Sequence, residues 1–246
     1  MRKFGLIGKT LKHSFSQKYF TEKFEKERIE NCQYDLFELP DISHFQELVQ
    51  DPKGELSGLN VTIPYKKVVM PFLNELDPLA QRIDAVNVIK ISDGHLKGFN
   101  SDYYGFRQSL ESWLKTTDLS ALILGTGGAS NAVQAVLEDL LIPFRFVSRS
   151  AKPRAFTYEQ INSSPNILAN HQLIINCSPV GTFPNIDEKP DLPYASITEN
   201  HYLYDLVYNP EETAFMKEGA ACGAATKNGA DMLRLQAEKS WEIWNS

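Results

Sequence analysis

Residues 119–124 form an almost unbroken apolar run that ends at a glycine-rich loop, Gly125-Thr126-Gly127-Gly128. Helical spacing begins directly after it, over residues 129–140. A continuous apolar strand is covered on both faces, whereas a half-exposed strand alternates. Further apolar runs at 144–147, 172–176 and 202–207 continue the pattern in the second half. Strands alternating with helices in this way predict a parallel sheet with helices on both sides.

The first half is α/β of a different kind. Runs at 3–8, 34–39 and 58–63 read as strands, and 16–28 and 42–49 read as helices, with Phe20 and Phe24 four apart on one face. Residues 85–91 and 96–100 flank Ser92-Asp93-Gly94-His95, and Asp-Gly between alternating runs signals a hairpin. Strand directions should therefore be mixed here. A last helix over 230–244 carries Leu233, Ala237, Trp241 and Trp244 on one face and could return to pack on the first half. The predicted boundary lies near residues 102–105.

The 246 residues carry a net charge of −6, which argues against a nucleic-acid binder. No apolar run approaches the roughly 18 residues of a membrane span, and residues 1–8 read as a strand rather than a signal peptide. Cys32, Cys177 and Cys222 are far apart and odd in number, so a reduced, cytoplasmic chain is expected. The five histidines show no metal-ligand spacing, and no metal site is expected.

Two stretches carry chemistry. Asn60-Val-Thr62-Ile-Pro-Tyr-Lys66 places a lysine at a strand-to-helix junction, with Pro64 suited to a helix start. A lysine on that first turn would face the positive end of the helix dipole, a poor place for a charge and a good one for a proton donor. The glycine loop has the strand–turn–helix context of a dinucleotide fingerprint, in which a pyrophosphate meets the helix N-terminus. At the end of the next strand, Ser148-Arg149-Ser150 stands where an NAD enzyme carries an acidic residue; an arginine there suits a 2′-phosphate, hence NADP.

Together these motifs resemble the shikimate dehydrogenase family. His13-Ser14-Phe15-Ser16 is similar to its HSxS element, and Asn60 to Lys66 to NVTxPxK. Ala85-Val86-Asn87 resembles AVN, and Gly98 to Gly105 resembles GxNTDxxG. Residues 125–128 resemble GAGG, 148–150 NRT, and 176–181 NxTxxG. Asp205 to Pro210 resembles DxxYxP, and the helix with Gln236 the C-terminal GxxMLxxQ. The chain departs from the pattern at Gln17, Thr126, Ser101, Ser148, Thr182 and Ala230.

The resemblance implies an α/β fold with an N-terminal substrate domain, residues 1–103, and a doubly wound Rossmann NADP domain, residues 104–229. The helix over 230–246 is implied to pack back on the first. It implies reduction of 3-dehydroshikimate to shikimate with NADPH, a quinate or dual quinate/shikimate dehydrogenase being the alternative. Lys66 and Asp102 are the implied catalytic pair. Ser14, Ser16, Asn60, Thr62, Asn87, Tyr208 and Gln236 are implied to bind substrate. Gly125, Thr126, Gly127, Gly128, Ala129, Ser148, Arg149, Ser150 and Gly229 are implied to bind the cofactor. The expected partners are the small-molecule substrate and NADP, with no nucleic acid or membrane, in a monomer or homodimer.

Taken singly, these residues keep other readings. Ser14, Ser16 or Asp102 could cap a helix, Asn60 and Thr62 could be satisfied within a sheet, and Gln236 could be an exposed helix residue. A nucleotide-sensing module would need the Lys66–Asp102 pair broken. A methylene-tetrahydrofolate dehydrogenase would leave Ser14, Ser16 and Gln236 unexplained.

Overall fold

The computed structural model describes residues 1–11, 14–50 and 55–246. Met1–Tyr104 with Gln236–Ser246 forms one compact unit, and Gly105–Leu235 forms another. Among the described residues, no helix is long and apolar enough to cross a membrane.

The first unit holds strands β1 (Arg2–Gly8), β2 (Cys32–Glu38), β3 (Leu56–Val61), β4 (Glu75–Leu76), β5 (Val88–Ser92) and β6 (His95–Phe99), with helices α1 (Phe15–Lys26), α2 (Phe45–Val49), α3 (Tyr65–Val68) and α4 (Pro78–Ile83). The sheet order is β2-β1-β3-β5-β6-β4. β1 runs parallel to β2 and β3, and the β5–β6 hairpin continues the sheet antiparallel to β3. At the hairpin tip Asp93 and Gly94 take φ values of 50° and 77°. Both central residues are left-handed, the type I′ turn that Asp-Gly favours.

Helix α5 (Ser101–Glu111) leads to the second unit, with strands β7 (Ala121–Leu124), β8 (Phe144–Ser148), β9 (Ala155–Thr157), β10 (Leu173–Asn176), β11 (Tyr202–Asp205) and β12 (Ala225–Lys227). Its helices are α6 (Gly128–Asp139), α7 (Tyr158–Ser163), α8 (Asn166–Ala169) and α9 (Ala214–Ala221), and α10 (Ala230–Asn245) ends the chain. The order is β12-β11-β10-β7-β8-β9, with every pairing parallel. β7 and β10 are buried throughout, as their continuous apolar sequences require. The strand order reverses between them, and a doubly wound sheet opens its ligand crevice at the carboxyl ends flanking such a reversal.

The last residues of α10 belong to the first unit. Trp244 is 3% exposed, and its indole Nε1 donates to the carbonyl of Ile89 at 3.0 Å. It lies against Gly58, where an added Cβ would come within 2.3 Å of the ring, so glycine is required there. Phe4 stacks on it at 4.8 Å, and Phe20 packs beside it. Burial of one such side chain contributes about 1.5–3 kcal/mol.

Candidate active site

The conformation of residues 60–66 differs from the expectation in one respect. Pro64 is the N-cap of α3 rather than its first residue, and α3 is a single turn. Four residues sum too few peptide dipoles to create a strong helix end. The electrostatics of Lys66 are set by a carboxylate instead: its Nζ donates to Asp102 Oδ2 at 2.5 Å. The two side chains are 18% and 10% exposed, so water screens this ion pair little.

Asp102 lies in the first turn of α5 but does not cap it. Asn100 does, accepting the Tyr103 amide at 3.1 Å. Asp102 is therefore left for Lys66 and for Asn87, whose Nδ2 donates to its other oxygen, Oδ1, at 2.9 Å. Asn87 itself is pinned, because its Oδ1 accepts the Ser101 amide at 2.6 Å.

The network extends through buried residues. The Ser101 hydroxyl lies 3.3 Å from both Gln236 Oε1 and Ser240 Oγ. Asn60 Nδ2 donates to Ser240 Oγ at 2.9 Å and to the Asn87 carbonyl at 3.3 Å, and its Oδ1 accepts from the Tyr34 phenol at 2.8 Å. Both amide hydrogens of Asn60 are thus committed inside the protein. Ser16 hydrogen-bonds the Tyr34 phenol, whose pKa burial pushes well up. Gln236 is buried rather than exposed. Tyr34 and Ser240 are further members of this network that no sequence motif marks. Nothing local marks them, since each matters only through partners distant in the chain.

Ser14 caps α1, its hydroxyl accepting the Gln17 amide at 3.4 Å. A proline at residue 17 would lack that donor. His13 lies outside the described residues. Thr62 is half-buried after β3, its amide donating to the Ile7 carbonyl at 2.9 Å. Ser14, Ser16, Asn60, Thr62, Lys66, Asn87, Asp102 and Gln236 all belong to the first unit. Tyr208, 39% exposed, and the cofactor candidates belong to the second.

In the second unit, a cavity of about 910 Å³ opens at the carboxyl ends of β7, β8 and β10. Gly125 takes φ 103°, which a side-chain-bearing residue rarely adopts, and so allows the turn out of β7. A Cβ added at Gly127 or Gly128 would meet nothing within 4 Å, so the backbone there faces open space. Gly127 is the N-cap of α6 and provides no side-chain cap, leaving first-turn N–H groups available to an anion. Ala129 follows in that turn. Ser130 hydrogen-bonds back to the Gly127 carbonyl at 2.5 Å.

Arg149 and Ser150 line the same cavity after β8, and Ser148 is buried at the strand end. Lys152 Nζ donates to Thr126 Oγ1 at 2.9 Å, adding a second cation beside the loop. This donor set and the open glycine backbone fit a nucleotide with a pyrophosphate and a further phosphate. Burial pushes the Cys177 thiol up, so it lines the cavity as a neutral group. Gly229 has a packing reason of its own: an added Cβ would sit 2.2 Å from the Leu206 carbonyl oxygen. Among the described residues, no three His, Cys, Asp or Glu side chains gather where they could hold a metal ion.

Residues 6–89 match the family model of the shikimate dehydrogenase substrate binding domain. The chain is 35% identical to a shikimate dehydrogenase (NADP(+)) of Methanococcus aeolicus, over 98% of this chain and 90% of that protein. It superposes on the crystal structure of shikimate dehydrogenase 1 from Peptoclostridium difficile with TM-score 0.86 and 36% identity, covering 100% of this chain and 92% of the other. The shikimate 5-dehydrogenase of Thermus thermophilus, solved with NADP(H) and shikimate, gives TM-score 0.86 at 26% identity, over 99% of this chain and 93% of that one.

Proposed function

The chain belongs to the shikimate dehydrogenase family, and we propose that it reduces 3-dehydroshikimate to shikimate with NADPH, in aromatic amino-acid biosynthesis. Bound NADPH supplies the hydride that adds to the ketone carbon. The ketone oxygen must gain a proton, and Lys66 Nζ is the donor. Asp102 aims that ammonium through Oδ2, while Asn87 holds Oδ1 and fixes the carboxylate plane. A positioned acid of this kind contributes about 10²–10⁴-fold to the rate.

Ser14, Ser16, Thr62, Asn87, Gln236 and Tyr208 bind the substrate's carboxylate and hydroxyls. Asn60, with its amide hydrogens already used, acts on that site by bracing Tyr34, Ser240 and Asn87. Gly125 to Ala129 hold the pyrophosphate, and Ser148, Arg149 and Ser150 hold the 2′-phosphate. Gly229 acts on the cofactor side by letting the backbone pack closely on Leu206. Residues 1–103 with the terminal helix 230–246 form the substrate domain, and 104–229 the NADP domain. The protein works in the cytoplasm, in keeping with three free cysteines, as a monomer or homodimer.

The Lys66–Asp102 ion pair carries this reading. Lys66→Ala should lower kcat at least about 10²-fold while shikimate still binds, measured by steady-state kinetics and calorimetry. A variant with near-parental kcat would remove Lys66 from the reaction.

A further inference from the structure

Asp205 ends β11 with no solvent exposure and is absent from the walls of the nucleotide cavity. One of its three hydrogen bonds nevertheless leads to that cavity, because Asn176 directly precedes the wall residues 177–180. Oδ1 accepts from Asn176 Nδ2 at 2.9 Å and from the Val207 amide at 3.0 Å, and Oδ2 accepts from the Thr213 hydroxyl at 2.7 Å. Asn176, equally buried at the end of β10, uses every remaining group on the loop that follows it. Its Nδ2 also donates to the Val180 carbonyl at 3.3 Å. Its Oδ1 accepts from the Ser178 amide at 3.1 Å and from the Ser178 hydroxyl at 2.6 Å. Cys177, Ser178, Pro179 and Val180 are the part of the cavity wall that this amide holds.

An amide side chain has a donor end and an acceptor end, and only one orientation suits Ser178. The acceptor-only carboxylate of Asp205 dictates it, because only the NH₂ end of Asn176 can face Asp205. A doubly wound sheet lays one half of a dinucleotide on each side of its switch point. The glycine loop and Arg149 lie on the β7–β8 side. The loop after β10 lies on the other side, where the half that bears the nicotinamide belongs. We infer that Asp205 is a positioning residue for nicotinamide-half binding, acting through Asn176 on the 177–180 loop. This inference rests on the nucleotide reading of the cavity proposed above.

The test is direct binding, by calorimetry, of NADP⁺ and of adenosine 2′,5′-bisphosphate, which lacks the nicotinamide half. The variants are Asp205→Ala, Asn176→Ala, their double variant and Thr213→Val, with melting temperatures for each. Asp205→Ala and Asn176→Ala should weaken NADP⁺ at least about tenfold, the worth of about one hydrogen bond to a charged group. Both should leave the bisphosphate within about twofold, and the double variant should be no worse than the weaker single one. Thr213→Val removes the contact to Oδ2 and the cap that the same hydroxyl places on the Met216 amide at the start of α9, and touches neither Asn176 nor the 177–180 loop. It should lower the melting temperature and leave both affinities near the parent's. If Asp205→Ala does not fold, Asn176→Ala against Thr213→Val decides alone. Equal weakening of both ligands, no weakening, or the same split in Thr213→Val would overturn the inference. A parent that binds neither ligand would overturn the nucleotide reading and this inference with it.

Discussion

Asp102→Asn changes one carboxylate oxygen into an amide nitrogen and leaves the helix cap untouched, because Asn100 holds that position. Asp102 faces donors on both sides, Lys66 Nζ at 2.5 Å and Asn87 Nδ2 at 2.9 Å. An asparagine has one carbonyl, so whichever donor it serves, its own NH₂ confronts the other. A lost hydrogen bond to a charged group costs about 1.5–3 kcal/mol, equivalent to roughly 10–150-fold if the bond is needed in the transition state. The aim of Lys66 is also lost, so kcat should fall about 10²-fold or more. Shikimate binding, by calorimetry, should weaken far less than kcat falls. The melting temperature should fall by roughly 3–12 °C, because the lost bond lies in a largely buried network, while the protein still folds. A kcat within about threefold of the parent, with the protein folded, would refute the claim that Asp102 orients the proton donor.

Arg149→Ala should raise KM for NADPH by roughly 10–150-fold, the loss of charge-assisted contacts to a phosphate, and change KM for NADH little; equal effects on both cofactors would remove Arg149 from the 2′-phosphate site. The buried Asp205 carboxyl is pushed up to about 6 by desolvation, which its three hydrogen bonds only partly offset. Its folded pKa exceeds the unfolded value, so its contribution to stability is fully present below about pH 4 and is lost as pH rises through about 6, at a cost of about 3 kcal/mol. Denaturant titrations of the parent and of Asp205→Asn from pH 4 to 7 should therefore differ in slope, the parent losing more stability on the way up; parallel curves would contradict this.

The parallel second unit was legible because its strands are buried on both faces, so apolar runs such as 121–124 mark them without reference to partners. The Asp93–Gly94 turn was legible because few residues tolerate two successive left-handed conformations. Short edge strands were not: β4, β9 and β12 span two or three residues, half-exposed or exposed, and bury no continuous face. At the site, Lys66 and Asp102 stood out through their motifs. The choice of Asn100 over Asp102 as the cap did not, because residues two apart can each reach a helix start. Tyr34 and Ser240 act through partners 26 and 180 residues away, a separation that no local pattern records.

The proposed role of the Lys66–Asp102 pair is NADPH-dependent reduction of 3-dehydroshikimate. Its most direct test follows NADPH absorbance with the purified parent protein, and NADP⁺ reduction with shikimate, quinate or no substrate in the reverse direction. NADPH consumption should depend on 3-dehydroshikimate, kcat/KM should be higher with NADPH than with NADH, and reverse turnover should be faster with shikimate than with quinate. No substrate-dependent change in absorbance would contradict it, as would a higher kcat/KM with quinate and NAD⁺.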